Sequence, residues 1–202
     1  SAVLKSVNLY YFLAAVLFNV AALVVVSERL RIIFGVQRLK LSLGESVYLT
    51  FIGIFFNNFL PTSIGGDLVK AYYATKKSER KLESFSAVFF DRFFGFLSIG
   101  LLAFLGVLLM NGRIKDPHIF WGCLIFSVVV LVTFVLFLNN AVAKVIFSRL
   151  LHLRAFRKDS KLHKLYSTLN AYKEHKLVVM KVVLISLLAQ VLSVVLLYCI
   201  VK

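Results

Sequence analysis

Acidic residues, cysteine and proline are all scarce in this chain. Nine Asp and Glu stand against 24 Lys and Arg, which leaves a formal net charge of +15, and the 202 residues include two Cys and two Pro. The two cysteines have no partner at the spacing of a zinc or redox site. The serine-hydrolase, zinc-protease, Walker and dinucleotide-binding motifs are missing as well. The sequence therefore offers no catalytic centre, and we expect neither a metal nor another cofactor.

Hydrophobic residues, in contrast, are abundant. They make up 60% of the chain, and the mean hydropathy is +0.90, whereas soluble domains are about 45–50% apolar. Four segments reach the roughly 20 residues that an apolar helix needs to span a bilayer: about 7–26, 86–110, 119–138 and 178–201. The pattern predicts an all-α polytopic membrane helical bundle, with residues 1–202 as one membrane domain. Since the chain lacks an initiator Met and stops directly after an apolar span, we expect a fragment of a longer protein.

The segments between the spans are basic, and basic loops of membrane proteins face the cytoplasm. The most basic one, 139–177, is therefore placed inside, and counting back across the spans also places 68–83 inside. If the short apolar segment 46–60 crossed fully, the basic segment 27–45 would lie outside. A re-entrant hairpin over about 46–75 removes this conflict. The alternative is a short full span with 27–45 outside.

Residues 141–176 carry apolar residues at helical spacing with cations among them. This pattern predicts interfacial amphipathic helices on the inner leaflet. The alternative is a solvated connector that docks on the bundle. Because the cations lie between apolar spans, we expect anionic lipid headgroups, and no nucleic acid, as partners.

A broken helix in the predicted hairpin is the first candidate site. Pro61, Gly65 and Gly66 interrupt the apolar segment, and we expect Asp67 to cap a new helix at Leu68 or to pair with a cation. Irregular backbone in lipid persists only where protein buries it or where it lines a polar cavity, and transporters build substrate sites there. The glycine amides and a neighbouring cation could then bind a phosphate. The alternative is a tight structural turn.

An acid–base pair within an apolar run is the second candidate. Asp91 and Arg92 are costly in hydrocarbon, and adjacent helix residues point about 100° apart, so each needs its own partner. Asp91 could take Lys70, which would leave Arg92 to hold a lipid phosphate with its planar fork. Alternatively, both charges lie at the cytoplasmic interface and snorkel.

A few polar and thiol side chains interrupt the remaining apolar segments. Asn57 and Asn58 lie in the hairpin, and two further amides, Asn19 and Gln190, lie within spans. Such amides either join helices by hydrogen bonds or line a polar cavity. The thiols of Cys123 and Cys199 are interpreted as small buried hydrophobes, although the sequence leaves a disulfide between them open.

These motifs resemble the transmembrane region of the lysylphosphatidylglycerol synthetases and the flippase-like proteins that share it, some of them named dolichol-phosphate-glucose synthetase-like. The resemblance is carried by Phe55-Phe-Asn-Asn-Phe-Leu-Pro61, Gly65-Gly-Asp67, Lys70-Ala-Tyr72 and Asp91-Arg92, and it covers residues 27–110 well. Departures are Thr62, Lys70 and Asp91, where the family more often has Gly, Arg and Glu. The family's later Pro/Gly-rich motif, its last spans and any cytosolic aminoacyl-transferase domain are absent.

The resemblance implies lipid flipping and, in members with the extra domain, addition of lysine to phosphatidylglycerol. We therefore expect a multi-pass protein of the inner (cytoplasmic) cell membrane that binds and translocates an anionic or aminoacylated phospholipid or a polyprenyl-phosphate lipid. Lys70 and Arg92 would hold the phosphate, and Asp67 and Asp91 would position them or engage a cationic headgroup. The alternatives are the membrane half of a lipid aminoacyl- or glycosyl-transferase and a scaffold that recruits a lipid-modifying enzyme.

Overall fold

The computed structural model describes residues 9–60, 65–76, 80–110, 116–138, 172 and 174–201. The described residues form six helices and no strand: α1 (Leu9–Val36), α2 (Leu43–Phe59), α3 (Gly65–Lys76), α4 (Lys81–Met110), α5 (Pro117–Leu138) and α6 (Lys176–Val201). The predicted all-α class is confirmed. The interfacial helices predicted over 141–176 lie almost entirely outside the described residues.

Four of these helices, α1, α4, α5 and α6, are long and apolar enough to cross a membrane. Except for residues 7 and 8, which lie outside the described residues, they contain the four segments predicted as spans. Many of their large apolar side chains are exposed, as a lipid-facing surface requires. Helices α2 and α3 have 17 and 12 residues. At 1.5 Å per residue they reach about 25 and 18 Å, which is less than the roughly 30 Å hydrocarbon core. The chain is therefore a multi-pass membrane protein with a pair of shorter helices.

Helix α1 is longer than the sequence predicts. The prediction that 27–45 is a loop is wrong for residues 27–36, which continue the helix. An ion pair of 2.6 Å between Glu28 and Arg31, one turn apart, supports the continuation, and no proline interrupts it. The change of composition after Val26 marks where the apolar surface ends, and the helix itself goes on. Arg29 consequently lies on a packed helix.

The chain turns sharply where α1 ends. Arg38 adopts a left-handed conformation with φ 58°, a position at which glycine is usual. The Leu39 N–H donates to the Phe34 carbonyl at 3.1 Å, and the Arg38 N–H donates to the Gly35 carbonyl at 3.0 Å. These two bonds satisfy carbonyls that the helix end would leave open, and they direct the chain towards α2.

A capping box starts α2. The Glu45 N–H donates to the Ser42 hydroxyl at 3.2 Å, and the Ser42 N–H donates to the Glu45 carboxylate at 2.8 Å. This reciprocal arrangement satisfies two backbone donors at the helix start. The Ser-x-x-Glu spacing is visible in the sequence and marks the helix three residues ahead of the predicted segment 46–60.

Helices α2 and α3 form a tightly packed antiparallel hairpin. Gly53 lies opposite Lys70, and Asn57 lies opposite Gly66. A Cβ added to Gly66 would come within 2.6 Å of the Asn57 Oδ1 and closer still to the Gly53 carbonyl oxygen. The two backbones can approach this closely only because position 66 carries glycine.

Both ends of the hairpin lie at one end of the bundle. The segment after α1 lines a cavity of about 400 Å³ together with Glu45 at the start of α2, Ala74 near the end of α3 and Ser84 near the start of α4. Tyr172, just before α6, donates its hydroxyl to the Ile33 carbonyl at 3.2 Å. The described parts of the basic segments therefore gather at the same end, as the charge argument predicts for a hairpin that returns to its starting side.

The packed core lies near this basic end. Leu30, Ile33, Phe90 and Phe94 are fully buried there, and the Phe90 and Tyr172 ring centroids are 4.1 Å apart. Towards the other end of the molecule α5 packs against α4, where a Cβ on Gly100 would lie 2.7 Å from Val130. Cys123 and Cys199 are both free thiols, so the two do not form a disulfide.

The predicted re-entrant hairpin has a distinctive labelling pattern in intact cells. Cysteines replacing Lys40 and Arg80, which are both exposed, should be protected from a membrane-impermeant thiol reagent, and a cysteine replacing Asp116 should be labelled. The background is the full chain with Cys123→Ser and Cys199→Ser, and labelling after permeabilisation is the control. Labelling of the Lys40 position but not the Arg80 position in intact cells would show that the hairpin crosses.

The close contact in the hairpin makes Gly66→Ala destabilising. The added methyl group must displace backbone, so we expect a loss of about 1–3 kcal/mol and a lower thermal midpoint in detergent. Gly106→Ala in α4 is the matched control, because its Cβ meets nothing within 4 Å, and helix propensity predicts equal or slightly higher stability. Equal midpoints for Gly66→Ala and the parent would contradict the hairpin packing.

Candidate functional site

Five of the described helices enclose a cavity of about 400 Å³, within the roughly 300–1,000 Å³ range of ligand sites. Helix α5 contributes no described lining residue. The cavity is lined by Asn19, Ala22, Leu23, Val26 and Arg29 of α1, Thr50, Gly53, Ile54 and Asn57 of α2, Asp67 and Lys70 of α3, Asp91, Arg92, Gly95, Phe96 and Ile99 of α4, and Ala189, Gln190 and Ser193 of α6. The α1 residues recur every three or four positions and so share one face.

A buried ion triad lies at one end of this cavity. The Asp91 carboxylate accepts from Arg29 Nε at 2.8 Å and from Lys70 Nζ at 3.0 Å, and all three residues are at most 6% exposed. Arg29 also donates to the Ser186 hydroxyl at 3.2 Å. The triad joins α1, α3, α4 and α6. The predicted contact between Lys70 and Asp91 is therefore present, and Asp91 lies inside the bundle, where it cannot snorkel.

A second ion pair lies beside the triad and is more open. Arg92 Nε donates to the Asp67 carboxylate, which joins α4 to α3. The Arg92 side chain is 40% exposed and the Asp67 side chain 16%, against 5–8% for the side chains of the triad. A molecule that enters the cavity therefore meets Arg92 before it meets the other two cations.

The predicted cap at the broken helix is wrong. Helix α3 begins at Gly65, so Asp67 lies in its first turn and does not cap a helix that starts at Leu68. The Gly66 N–H donates to the Asn57 Oδ1 at 2.9 Å, so the partner for this amide comes from α2. Close packing of the hairpin allows this, and it leaves the Asp67 carboxylate to pair with Arg92.

The structure brings most of the sequence-predicted site residues together. Asn57, Asp67, Lys70, Asp91 and Arg92 line the cavity. The other three, Gly65, Gly66 and Asn58, are not among its described lining residues. Gly65 packs instead against the Leu60 side chain, and Gly66 packs against α2.

Sequence reasoning missed Arg29 as a site residue. The end of the apolar surface at Val26 predicts a loop there, but helix-forming residues follow Val26 without a break. Extending the helix by one turn would have placed Arg29 on the same face as Val26, Leu23 and Asn19. Nothing in the sequence marks Ser186 as a site residue, since serine is common in membrane helices.

The cavity carries an excess of positive charge. Its described lining contains three cations, Arg29, Lys70 and Arg92, and two carboxylates, Asp67 and Asp91, so one formal positive charge is left. No group of three His, Cys, Asp or Glu that could hold a metal ion occurs in the described ranges. The arrangement can bind a singly charged anion.

The fold and the cavity define a multi-pass helical membrane protein with an internal charged site. The family described as the lysylphosphatidylglycerol synthase TM region has a model that matches residues 1–202, and the chain belongs to that family. The match confirms the resemblance seen over residues 27–110 and extends it to the whole chain. Neither a curated protein nor a solved structure matches this chain.

The triad predicts that Asp91→Asn is strongly destabilising. Without the carboxylate, Arg29 and Lys70 remain buried with no opposite charge between them, and such a loss costs about 3–5 kcal/mol. Asp116→Asn is the matched control, because Asp116 is exposed and asparagine can still accept from the His118 N–H at 2.8 Å. Unfolding of both variants by SDS or heat in detergent measures the difference. Equal stability of Asp91→Asn and the parent would mean that the triad does not stabilise the fold.

Proposed function

We propose that this protein binds the anionic headgroup of a membrane lipid in the charged cavity and moves that lipid between the leaflets of the cell (inner) membrane. The observation that carries the proposal is the cavity itself: three cations and two carboxylates enclosed between helices that are apolar enough to span a bilayer. Charges inside a membrane are expensive and usually serve a substrate or ion pathway.

The charge balance supports a singly charged phosphate as ligand. One formal positive charge in a low-dielectric site is neutralised by one phosphodiester, the group that a phosphatidylglycerol-type lipid carries. Arg92 would meet this phosphate, since it is the most exposed of the three cations and its guanidinium matches phosphate geometry. Arg29 and Lys70, which lie behind Arg92, would raise the positive electrostatic potential at the phosphate. Asp91 would hold these two cations in place.

An aminoacylated headgroup fits the same site. Its phosphate would lie against Arg92, and its ammonium group could approach the Asp67 carboxylate, which is partly exposed at the same opening. The ion pair between Asp67 and Arg92 would then open, and each side chain would pair with the opposite charge of the ligand. A polyprenyl-phosphate lipid is the remaining candidate, and it would use the cations alone.

The position of the cavity supports movement between leaflets. Arg29 lies seven residues, about 10 Å, from the end of α1, and Asp91 lies ten residues, about 15 Å, from the start of α4. Both distances are measured from the basic end, which the positive-inside rule assigns to the cytoplasm. The headgroup would thus enter from the cytoplasmic leaflet and be bound below the membrane surface.

A second candidate function is the membrane half of a lipid aminoacyl-transferase. The name of the matching family, the TM region of a synthase, favours it. A cytosolic transferase domain elsewhere in the full-length protein, or a separate lipid-modifying enzyme bound to it, would then supply the chemistry. In either case the cavity would deliver the lipid to the enzyme or receive it from the enzyme.

Arg92→Ala tests the headgroup site. The loss of one charge-assisted contact, about 1.5–3 kcal/mol, should slow the flipping of a fluorescent phosphatidylglycerol in proteoliposomes about ten- to hundred-fold. Arg31→Ala is the matched control, since Arg31 also pairs with a carboxylate, is 45% exposed and lies outside the cavity. Equal flipping by Arg92→Ala and the parent, at equal reconstitution, would remove Arg92 from the site.

A further inference from the structure

The cavity continues beyond the charged cluster as a stretch with uncharged polar side chains. Asn19 of α1 and both Gln190 and Ser193 of α6 line it there. All three lie within helices that are long and apolar enough to cross a membrane. Nothing in the ion pairing described above accounts for them.

These three side chains lie at successive depths. Arg29 and Ser186, which are hydrogen-bonded at 3.2 Å, mark a common level on α1 and α6. Tyr172, just before α6, contacts Ile33 near the end of α1, so the two helices run antiparallel. At 1.5 Å per residue, Gln190 lies about 6 Å from that level, and the other two follow at about 10 Å for Ser193 and about 15 Å for Asn19. All three lie towards the start of α1.

Both amides lack a hydrogen-bond partner among the residues that the structure describes. Within the described part of the chain neither Asn19 nor Gln190 makes a hydrogen bond, and Ser193 donates to the Ala189 carbonyl at 2.9 Å, which leaves its oxygen able to accept. Amides that join membrane helices are bonded across the interface. An unpaired amide in hydrocarbon costs several kcal/mol, so a polar guest in the cavity, either water or a headgroup, would stabilise this arrangement.

We infer that Asn19, Gln190 and Ser193 form the route along which the lipid headgroup passes from the charged cluster towards the opposite leaflet. This inference rests on the proposed function. The amides offer donors and acceptors to a phosphate and to its hydroxyl-bearing substituent without a net charge that would trap them. Conduction through a membrane needs sites that bind weakly enough to release the substrate. The cations therefore capture the headgroup, and the neutral side chains let it move on.

The route predicts that mutation of the two amides slows transport of the lipid but leaves binding of its headgroup unchanged. In the full chain, Asn19→Leu with Gln190→Leu should slow the flipping of fluorescent phosphatidylglycerol in proteoliposomes at least about ten-fold. Binding of a short-chain phosphatidylglycerol to the detergent-solubilised variant should stay within about two-fold of the parent, because the cations are intact. Thr133→Val in α5, a helix without a lining residue, is the control and should behave like the parent.

The outcomes are distinct. Parent-like flipping by the double variant would overturn the route, and so would a loss of binding, because the amides would then belong to the capture site. A parent protein that does not flip the lipid at all would overturn the proposed function together with the route. Each single leucine variant repeats the test in a form that disturbs the bundle less.

Water access gives a second measurement that does not use transport. A cysteine replacing Gln190, on the Cys123→Ser and Cys199→Ser background, should react with a small charged thiol reagent in reconstituted protein. A cysteine replacing Val191, which is exposed on the next position of α6 and does not line the cavity, should not react. Equal reactivity or equal protection at the two positions would overturn the route.

Discussion

A carboxylate buried in an apolar bundle persists only if opposite charge surrounds it, and this requirement organises the protein. Asp91 of α4 is 4% exposed and accepts from Arg29 of α1 and Lys70 of α3, and Arg29 reaches Ser186 of α6. Removing Asp91 would leave two buried cations with no counter-charge in a medium that cannot solvate them. Four helices are thereby fixed at one level, and that level forms the charged end of the cavity.

The short hairpin follows from the same constraint. Lys70 can reach Asp91 only if α3 lies inside the bundle, and α3 can lie there because Gly66 lets it pack directly on α2. The Asn57 side chain accepts from the Gly66 N–H at the start of α3, so this backbone donor inside the bundle is satisfied. The hairpin therefore delivers a lysine and an aspartate to the cavity.

Charge and position together distinguish two parts of one cavity. The cluster around Asp91 and Arg92 combines buried cations, held by their carboxylate, with an exposed arginine that an incoming anion meets first. The amides at greater depth carry no charge and have no partner within the described residues. Strong attraction at the opening and weak polar contacts beyond it are what passage of a headgroup requires, and this is why we favour transport over static binding.

The sequence by itself determined the class, the spans and most of the charged site. Runs of about 20 apolar residues form membrane helices because backbone groups must be bonded internally in lipid, and the asymmetry of Lys and Arg sets their direction. The same reasoning predicted Lys70, Asp91 and Arg92 as site residues, because a charged side chain within or beside an apolar segment is energetically costly and so indicates a function. Only the tertiary structure decided that Arg29 belongs to this site, that Asp67 pairs with Arg92, and that Asn19 and Gln190 share one cavity. These are contacts between helices far apart in the chain, and local spacing carries no information about which helices pack together.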